Sequence, residues 1–341
     1  KSSRRWFLPT SVIHTLEEGA MAKRKLPDPQ VFAEEFERLG ASGVARKYEV
    51  EVRNVFQYRR SVEDKLGRLL NVPSYLDRSG KPRPSVRKEI TVDNSMCMII
   101  GSDAHYESNT VTTAHLALVD LAKKLQPDVI VMNGDMMDGA SISRHAPLGW
   151  EERPTVEQEL NTVRQRLSEI EKAAPSAERY WCMGNHDARF DMRLADLLPQ
   201  YKGVKGFTLR DHFEGWKFCM SLWVEGAERS IVIKHRYNNG VHAGYNNTLK
   251  SGLHMVTGHT HQMECKSWSD YTGTRYGIQC GTMADPNQAS FDYAEDGPKN
   301  WVSGFAVLHI RDNFLLTPEF VKVHQPGEYE WRGNIHTVDY P

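Results

Sequence analysis

Five short motifs rich in aspartate and histidine follow one another along this chain, most of them at the end of an apolar run. In order they are Asp103-Ala-His105, Gly134-Asp135-Met-Met-Asp138, Gly184-Asn185-His186-Asp187, His235 and Gly258-His259-Thr-His261. In open α/β sheets, functional side chains lie just outside the carboxyl ends of the strands. The motifs therefore favour a fold in which distant strands deliver their last residues to one site.

Apolar runs of two periodicities alternate between the motifs. Predicted strands are Met96–Ile100, Asp128–Met132, Tyr180–Met183, Ile231–Lys234, Met255–Gly258, Tyr276–Cys280 and Phe305–Ile310. Predicted helices carry apolar residues at spacings of three and four, beginning at Val111 and at Val156. This alternation predicts an α/β fold with active residues on the loops at strand ends.

The motifs contain only oxygen and imidazole donors. A single histidine is more often a packed or surface residue than a ligand, but an ordered set of this size indicates a metal site. Two divalent metals about 3.5–4 Å apart grip a phosphate and activate a water between them. Such a site needs a carboxylate that binds both ions and reduces their repulsion.

In this order the motifs resemble those of the calcineurin-like metallophosphoesterase superfamily, over roughly Ser95 to Val321. The resemblance implies a four-layer sandwich of two mixed β-sheets flanked by helices. It also implies two divalent metal ions with Asp135 as the bridge. One ion would be bound by Asp103, His105 and His261, and the other by Asn185, His235 and His259. His242, seven residues after His235, is the alternative to it, and His235 is preferred because it ends an apolar run.

The resemblance also implies roles around the metals. His186 is expected to stabilise the transition state or protonate the leaving oxygen, and Asp138 or Asp187 to orient it or a ligand histidine. The implied reaction is in-line attack of a metal-bridging hydroxide on phosphorus, with no covalent enzyme intermediate. The mixed donor set suits Mn, which we expect first, or Fe, Zn or Ni, far better than Ca.

Two positions depart from the common pattern of the superfamily. The second motif lacks the arginine that often follows its last aspartate, and Gly139-Ala-Ser-Ile-Ser-Arg144 does not obviously replace it. The third motif ends in Asp187 rather than the frequent glutamate, a variant also seen among nuclease branches. The superfamily includes protein phosphatases, cyclic-nucleotide phosphodiesterases and DNA nucleases, so the motifs indicate a reaction without choosing a substrate.

The N-terminal part of the chain differs from the rest in charge and pattern. Residues 1–90 carry 19 Lys and Arg against 12 Asp and Glu, whereas the remainder carries 24 against 32. Residues 28–66 read as three short helices, the first ending at Gly40, and resemble a small all-α helix-turn-helix domain. On the third helix, Val52, Val55 and Phe56 are expected to be buried and Tyr58 to face outward. The side chains expected to bind DNA are Arg53, Asn54, Gln57, Arg59 and Arg60. The alternative is a helical packing module used for assembly.

The predicted organisation has four parts. Residues 1–20 are a leader, an upstream reading or a cloning remnant; residues 21–70 form the helical domain, residues 71–94 a linker, and residues 95–341 the metallophosphoesterase domain.

The five scattered cysteines read as reduced thiols, which predicts a cytoplasmic protein. No apolar run reaches the length of a membrane span, so no membrane partner is expected. The oligomeric state stays open.

The basic helical segment leads us to predict a phosphodiesterase that acts on DNA, a nuclease that includes the nicking endonuclease type. The alternative is a phosphoesterase of small molecules, nucleotides or phosphoproteins, with the N-terminal helices used for assembly. An inactive scaffold is disfavoured because every expected ligand is present.

Overall fold

The computed structural model describes residues 26–70, 86–108, 110–147, 149–150, 152–295, 297 and 299–341. The chain divides into two units, Lys1–Arg83 and Pro84–Pro341. The predicted leader, residues 1–20, lies outside the described residues, as do residues 71–85 of the predicted linker. Among the described helices, none is long and apolar enough to cross a membrane.

The first unit contains two helices, α1 (Pro29–Tyr48) and α2 (Val52–Leu66). The carboxylate of Asp28 caps α1 by accepting hydrogen bonds from the backbone N–H groups of Gln30 and Val31, at 3.0 and 3.3 Å. Gly40 interrupts α1 with φ 68° and ψ 173°, where the sequence predicted a helix end. The predicted pattern of three short helices is therefore present as one broken helix followed by α2.

A small core holds these helices together. Its fully buried side chains include Phe32, Phe36, Val44, Val55 and Val62. The ring of Tyr58 packs edge-on against Phe32, with 4.9 Å between centroids, and its hydroxyl donates to the carbonyl of Pro27 at 2.9 Å.

The rotation of α2 differs from the predicted one. Val52 and Phe56, which we expected to be buried, are 41% and 47% exposed, whereas Tyr58, expected to face outward, packs inward. The reason is that Val55, Tyr58 and Val62 recur at spacings of three and four, and this stripe is the one that docks on α1.

The second unit contains fifteen strands among its described residues. They are β1 (Arg87–Thr91), β2 (Met96–Gly101), β3 (Val129–Met132), β4 (Glu178–Cys182), β5 (Lys217–Cys219), β6 (Ser221–Glu225), β7 (Ile231–Ile233), β8 (His254–Thr257), β9 (Met263–Asp270), β10 (Gly273–Cys280), β11 (Gly304–Arg311), β12 (Phe314–Leu315), β13 (Glu319–Gln325), β14 (Glu328–Trp331) and β15 (Asn334–Thr337). Its helices are α3 (Thr113–Leu125), α4 (Val156–Ala173), α5 (Asp187–Leu197) and α6 (Ala243–Ser251). All seven predicted strands are present, with ends within a few residues of those expected.

The strands form two mixed sheets. The smaller has the order β1-β6-β7-β8-β10-β9, and the larger has the order β15-β14-β13-β11-β2-β3-β4-β5, with β12 paired to β11. In the larger sheet β2, β3, β4 and β5 are parallel neighbours, and in the smaller sheet β7 and β8 are parallel. β1 pairs in parallel with β6, so Arg87–Thr91, which the sequence analysis assigned to the linker, is a strand of this unit.

Two apolar cores explain the layering. The first lies between the sheets and joins Met98 and Val131 of the larger sheet to Ile233 and Val256 of the smaller. The second joins the opposite face of the larger sheet to α3 and α4. Helix α6 covers the outer face of the smaller sheet, where a Cβ on Gly277 would come within 2.0 Å of α6. The predicted four-layer α/β sandwich is confirmed.

We predict that Gly40→Ala destabilises the N-terminal unit by about 1–3 kcal/mol, because the φ and ψ of Gly40 lie in a region that is essentially restricted to glycine. The measurement is hydrogen exchange of amides in α1 and α2, which we expect to become about 10-fold to 100-fold faster. Gly67→Ala is the matched control: Gly67 has φ 64° at the end of α2 with open space around it. We expect a smaller effect there, and equal effects would contradict the account.

Candidate metal centre

The five motifs meet at the carboxyl ends of parallel strands from both sheets. In the larger sheet the loop after β2 carries Asp103 and His105, that after β3 carries Asp135, and that after β4 carries Asn185. In the smaller sheet the loops after β7 and β8 carry His235, His259 and His261. Backbone hydrogen bonds tie the first two loops together, since Asp103 N–H donates to the Gly134 carbonyl and His105 N–H to the Asp135 carbonyl.

Three groups of side chains have candidate ligand atoms within 4.8 Å of one another. The first is Asp103, His105 and His261, the second is Asp135, His235 and His259, and the third is His105, Asp138 and His186. The first two coincide with the two ligand sets expected from the sequence, apart from Asn185, whose buried Oδ1 has no hydrogen-bond partner among the described residues. His242, the alternative to His235, is exposed at the start of α6.

The carboxylate of Asp103 contacts members of the first two groups. Its Oδ1 lies 3.3 Å from His261 Nε2 and 3.9 Å from His235 Nε2. The backbone N–H of His259 donates to its Oδ2 at 2.8 Å. Burial opposes ionisation of Asp103, but the charges of His235 and His261 outweigh it and lower the pKa of this carboxyl.

The carboxylate of Asp135 lies 3.0 Å from the Nε2 of His235. The Nδ1 of His235 lies 2.8 Å from the Asn133 carbonyl, so it carries the proton and Nε2 faces the site. Burial disfavours a charged His235, but Asp135 and Asp103 raise its pKa to about 10. The pair of buried carboxylates therefore attracts positive charge strongly.

The chemistry of the buried atoms fits two divalent metal ions. His105 Nε2 and Asn185 Oδ1 are buried and have no hydrogen-bond partner in the described structure. A buried polar atom without a partner costs about 1–3 kcal/mol, and a bound cation removes that cost. Oxygen and imidazole donors together suit first-row transition metals, so these loops would hold such ions.

The backbone at this centre adopts an uncommon conformation. Five of the expected ligands have positive φ: Asp103 (54°), His105 (39°), Asp135 (56°), His259 (67°) and His261 (57°). Residues other than glycine rarely adopt this region, and each costs on the order of 1–3 kcal/mol. Motif glycines make the close approach of the loops feasible, because a Cβ on Gly184 would lie 2.0 Å from Asp135 Oδ1.

Asp187 connects the second and third motifs. Its Oδ2 accepts hydrogen bonds from Asp135 N–H, Gly184 N–H and the Trp181 indole, at 2.8 to 2.9 Å. Its Oδ1 accepts from the N–H groups of Met136 and Met137. Burial, reinforced by the charge of Asp135, raises the pKa of Asp187. We expected this residue to orient a histidine, but its hydrogen bonds instead hold the loop that carries Asp135.

Asp138 contacts two histidines. Its Oδ1 lies 3.1 Å from His105 Nδ1 and 2.8 Å from His186 Nδ1. Although burial opposes ionisation, these contacts keep the pKa of Asp138 well below its usual range. The Nε2 of His105 is left without a partner among the described residues, whereas the Nε2 of His186 lies 3.4 Å from Arg189 Nη2.

Sequence reasoning missed two charged residues beside Asp138. Arg189, three residues after His186, donates from Nη1 to the Asp138 carbonyl at 2.7 Å, and its Nη2 lies 3.4 Å from His186 Nε2. Glu159 of α4 is buried and accepts a hydrogen bond from Gly139 N–H at 2.8 Å. Arg189 could have been found from the sequence, because it lies three residues after His186 on a helix that begins at the third motif. Glu159 could not, because its position in the sequence resembles that of any polar residue in a helix.

An aromatic wall formed by Phe291 and Trp301 borders the first ligand group. The Phe291 ring lies 5.2 and 5.3 Å from the rings of His105 and His261, and Trp301 lies 4.6 Å from His261. Phe291 is almost fully buried. Such a wall fixes the histidine rings by contact and keeps water from their outer faces.

The residues predicted to bind DNA lie on α2 of the first unit. Arg53, Asn54, Gln57 and Arg60 are exposed. Arg59 is different: it pairs with Glu63 at 2.8 Å and donates to the Leu70 carbonyl at 2.9 Å, so its guanidinium is engaged within the unit.

This chain is similar in part to proteins of one known family. Residues 100–263 match the family model of calcineurin-like phosphoesterases. The Gene 54 protein of Mycobacterium phage D29 is 26% identical over 242 residues, covering 65% of this chain and 91% of that protein. The Gene 54 protein of Mycobacterium phage L5 is 25% identical over 241 residues, with the same coverage.

Among solved structures, Yfce, a phosphoesterase from E. coli, shares 13% identity with a TM-score of 0.33, over 65% of this chain and 98% of that one. The fold is assigned from the sheet order and the loops described above.

We predict that Asp187→Asn weakens metal binding about 10-fold to 100-fold and destabilises the protein by about 1–3 kcal/mol. The new amide nitrogen cannot accept a hydrogen bond, so buried donors around Asp135 lose their partner. Metal affinity by calorimetry and thermal unfolding measure the two effects. Asp191→Asn is the control on the same helix, because its oxygen can keep the bond from Leu209 N–H. Similar metal affinity in the two variants would contradict this role.

We predict that Glu159 makes stability fall as pH rises. Burial, with the charge of Asp138, raises the pKa of Glu159 from 4.5 to about 7. The folded protein therefore binds more protons than the unfolded one between these values, and the associated stability is present below pH 4.5 and lost by pH 7. Its size is on the order of 3 kcal/mol.

The test of Glu159 is urea unfolding of metal-free protein at pH 5 and pH 8. Glu159→Gln keeps an oxygen to accept from Gly139 N–H but cannot ionise. We expect the variant to lose less stability than the wild type between the two pH values. The same loss in both proteins would show that Glu159 does not titrate in this range.

Proposed function

Because residues 100–263 match the family model of calcineurin-like phosphoesterases, we propose that this chain is a metal-dependent nuclease that hydrolyses phosphodiester bonds in DNA. DNA is proposed as the substrate because α2 has an exposed face with two arginines and two amides. This helix belongs to a different unit from the metal centre. Proteins that bind DNA neutralise phosphates with arginine and lysine and read base edges with arginine, asparagine and glutamine.

The side chains of this face recur on one side of the helix. Arg53, Gln57 and Arg60 follow each other at spacings of four and three, and Asn54 is adjacent. The turn before α2 consists of Glu49, Val50 and Glu51, with Glu49 in a left-handed conformation. A short helix, a tight turn and a second helix with an exposed polar face is the arrangement in which a helix-turn-helix protein presents its recognition helix.

At the metal centre, seven side chains would hold two divalent ions, with Mn proposed first. These side chains are Asp103, His105, Asp135, Asn185, His235, His259 and His261. When bound, the ions would supply Lewis-acid activation of the phosphoryl group and of the attacking water. Asp135 belongs to the second ligand group, and it is the carboxylate proposed to bridge the ions, as the resemblance of the motifs implies.

His186 is proposed to protonate the leaving oxygen. Its Nδ1 is held by Asp138, which leaves Nε2 for the substrate. Burial disfavours the charged ring, but the hydrogen bond to Asp138 and the charge of Asp135 raise the pKa of His186 above its ordinary value. A histidine that keeps its proton near neutral pH is suited to act as a general acid.

We predict that full-length protein with Mn²⁺ nicks supercoiled plasmid and also hydrolyses bis(p-nitrophenyl) phosphate, a small chromogenic diester. Arg53→Ala/Arg60→Ala should lower the rate of DNA cleavage at least about 10-fold at limiting protein, since two phosphate or base contacts are lost. The same variant should hydrolyse the small diester at the wild-type rate.

Arg38→Ala/Arg46→Ala is the matched control, because it removes the same charge from exposed positions of α1 in the same unit. It should cleave DNA within about twofold of the wild type. Hydrolysis of the small diester without any DNA cleavage would reject the nuclease and favour a phosphoesterase of small molecules, nucleotides or phosphoproteins.

A further inference from the structure

Arg189 is a cation at the edge of the metal centre that no motif predicted. It lies in the first turn of α5, and its guanidinium contacts the Asp138 carbonyl and the Nε2 of His186. Both partners belong to the part of the site where the leaving group is proposed to depart. The side chain is half-buried, so part of it is accessible to a ligand.

The guanidinium of Arg189 has more N–H donors than its two contacts use. Arginine carries five N–H donors, and Arg189 uses Nη1 on the Asp138 carbonyl and places Nη2 near His186. Within the described part of the chain, no carboxylate oxygen lies within 4.0 Å of it. A guanidinium of this kind, without an ion-pair partner, is suited to bind phosphate oxygens in a bidentate way.

The stem of Arg189 packs against the second motif. A Cβ on Gly139, the residue after Asp138, would lie 3.2 Å from Cδ of Arg189 and 3.5 Å from its Cβ. Glycine at position 139 therefore leaves room for the arginine beside Asp138.

The centre also needs such a cation for electrostatic reasons. The carboxylates of Asp103, Asp135 and Asp138 lie together, each within 3.3 Å of a histidine nitrogen of the centre. A phosphate that enters brings further negative charge. Preorganised donors that offset charge developing on phosphate oxygens are a major source of rate enhancement in phosphoryl transfer.

We propose that Arg189 binds a non-bridging oxygen of the substrate phosphate and thereby holds the leaving oxygen next to His186. This inference rests on the proposed phosphoester hydrolysis but not on DNA as the substrate, because every phosphoester presents such an oxygen.

The test compares Arg189→Gln, Arg189→Lys and Arg193→Gln in full-length protein loaded with Mn²⁺. Arg193 is exposed on the same helix one turn further along, so it is the control for loss of charge. We expect Arg189→Gln to lower kcat/KM for bis(p-nitrophenyl) phosphate about 10-fold to 100-fold, Arg189→Lys to restore part of it, and Arg193→Gln to stay within about twofold.

Binding of inorganic phosphate, measured by calorimetry on the same loaded proteins, gives a readout that needs no turnover. The dissociation constant should rise at least about 10-fold in Arg189→Gln and not in Arg193→Gln, with unchanged metal content and thermal stability in both. Unchanged phosphate affinity in Arg189→Gln would overturn the proposal and leave Arg189 as a support for Asp138.

These measurements distinguish failure of the proposed function from failure of the assignment of Arg189. If the wild type binds phosphate through Arg189 but does not hydrolyse the diester, the proposed function fails while the assignment of Arg189 stands. If the wild type hydrolyses the diester and Arg189→Gln does so at the same rate with the same phosphate affinity, only the assignment of Arg189 fails.

Discussion

The metal centre depends on two buried carboxylates, Asp103 and Asp135, that repel each other. Positive charge must therefore lie near them. Both are fully buried, and the charge of Asp135 works against ionisation of Asp103. Only cations relieve this repulsion, and His235 responds with a pKa raised to about 10. Much of the surrounding structure serves to hold this pair in place: positive φ at five expected ligands, glycines at the loop crossings, and Asp187 beneath the loop of Asp135.

Strand order explains why residues 158 positions apart in sequence, Asp103 and His261, share one site. β2, β3 and β4 are parallel in one sheet, β7 and β8 in the other, and the sheets pack face to face. Each strand therefore ends at the same edge of the sandwich. Asp187 and Asp138 then fix the loops against each other, so hydrogen bonds that connect different motifs help to maintain the strained backbone.

The sequence predicted the strands that carry the motifs and the grouping of their side chains, because apolar periodicity and polar residues at strand ends are local signals. It did not predict β1, since the pattern of Arg87–Thr91 is half polar and its partner β6 lies 134 residues later. The inward rotation of Tyr58 and the engagement of Arg59 depend on how α2 docks on α1. Arg189 and the backbone contacts of Asp187 depend likewise on tertiary pairings that a single sequence does not display.

The most direct test of the central claim is electron paramagnetic resonance of the protein titrated with Mn²⁺. We expect two ions per chain. Because Asp135 would be shared between the two ions, we also expect a spin-coupled signal, and we expect Asp135→Asn to abolish the coupling. One ion per chain, or two ions without coupling in the wild type, would contradict a centre bridged by Asp135.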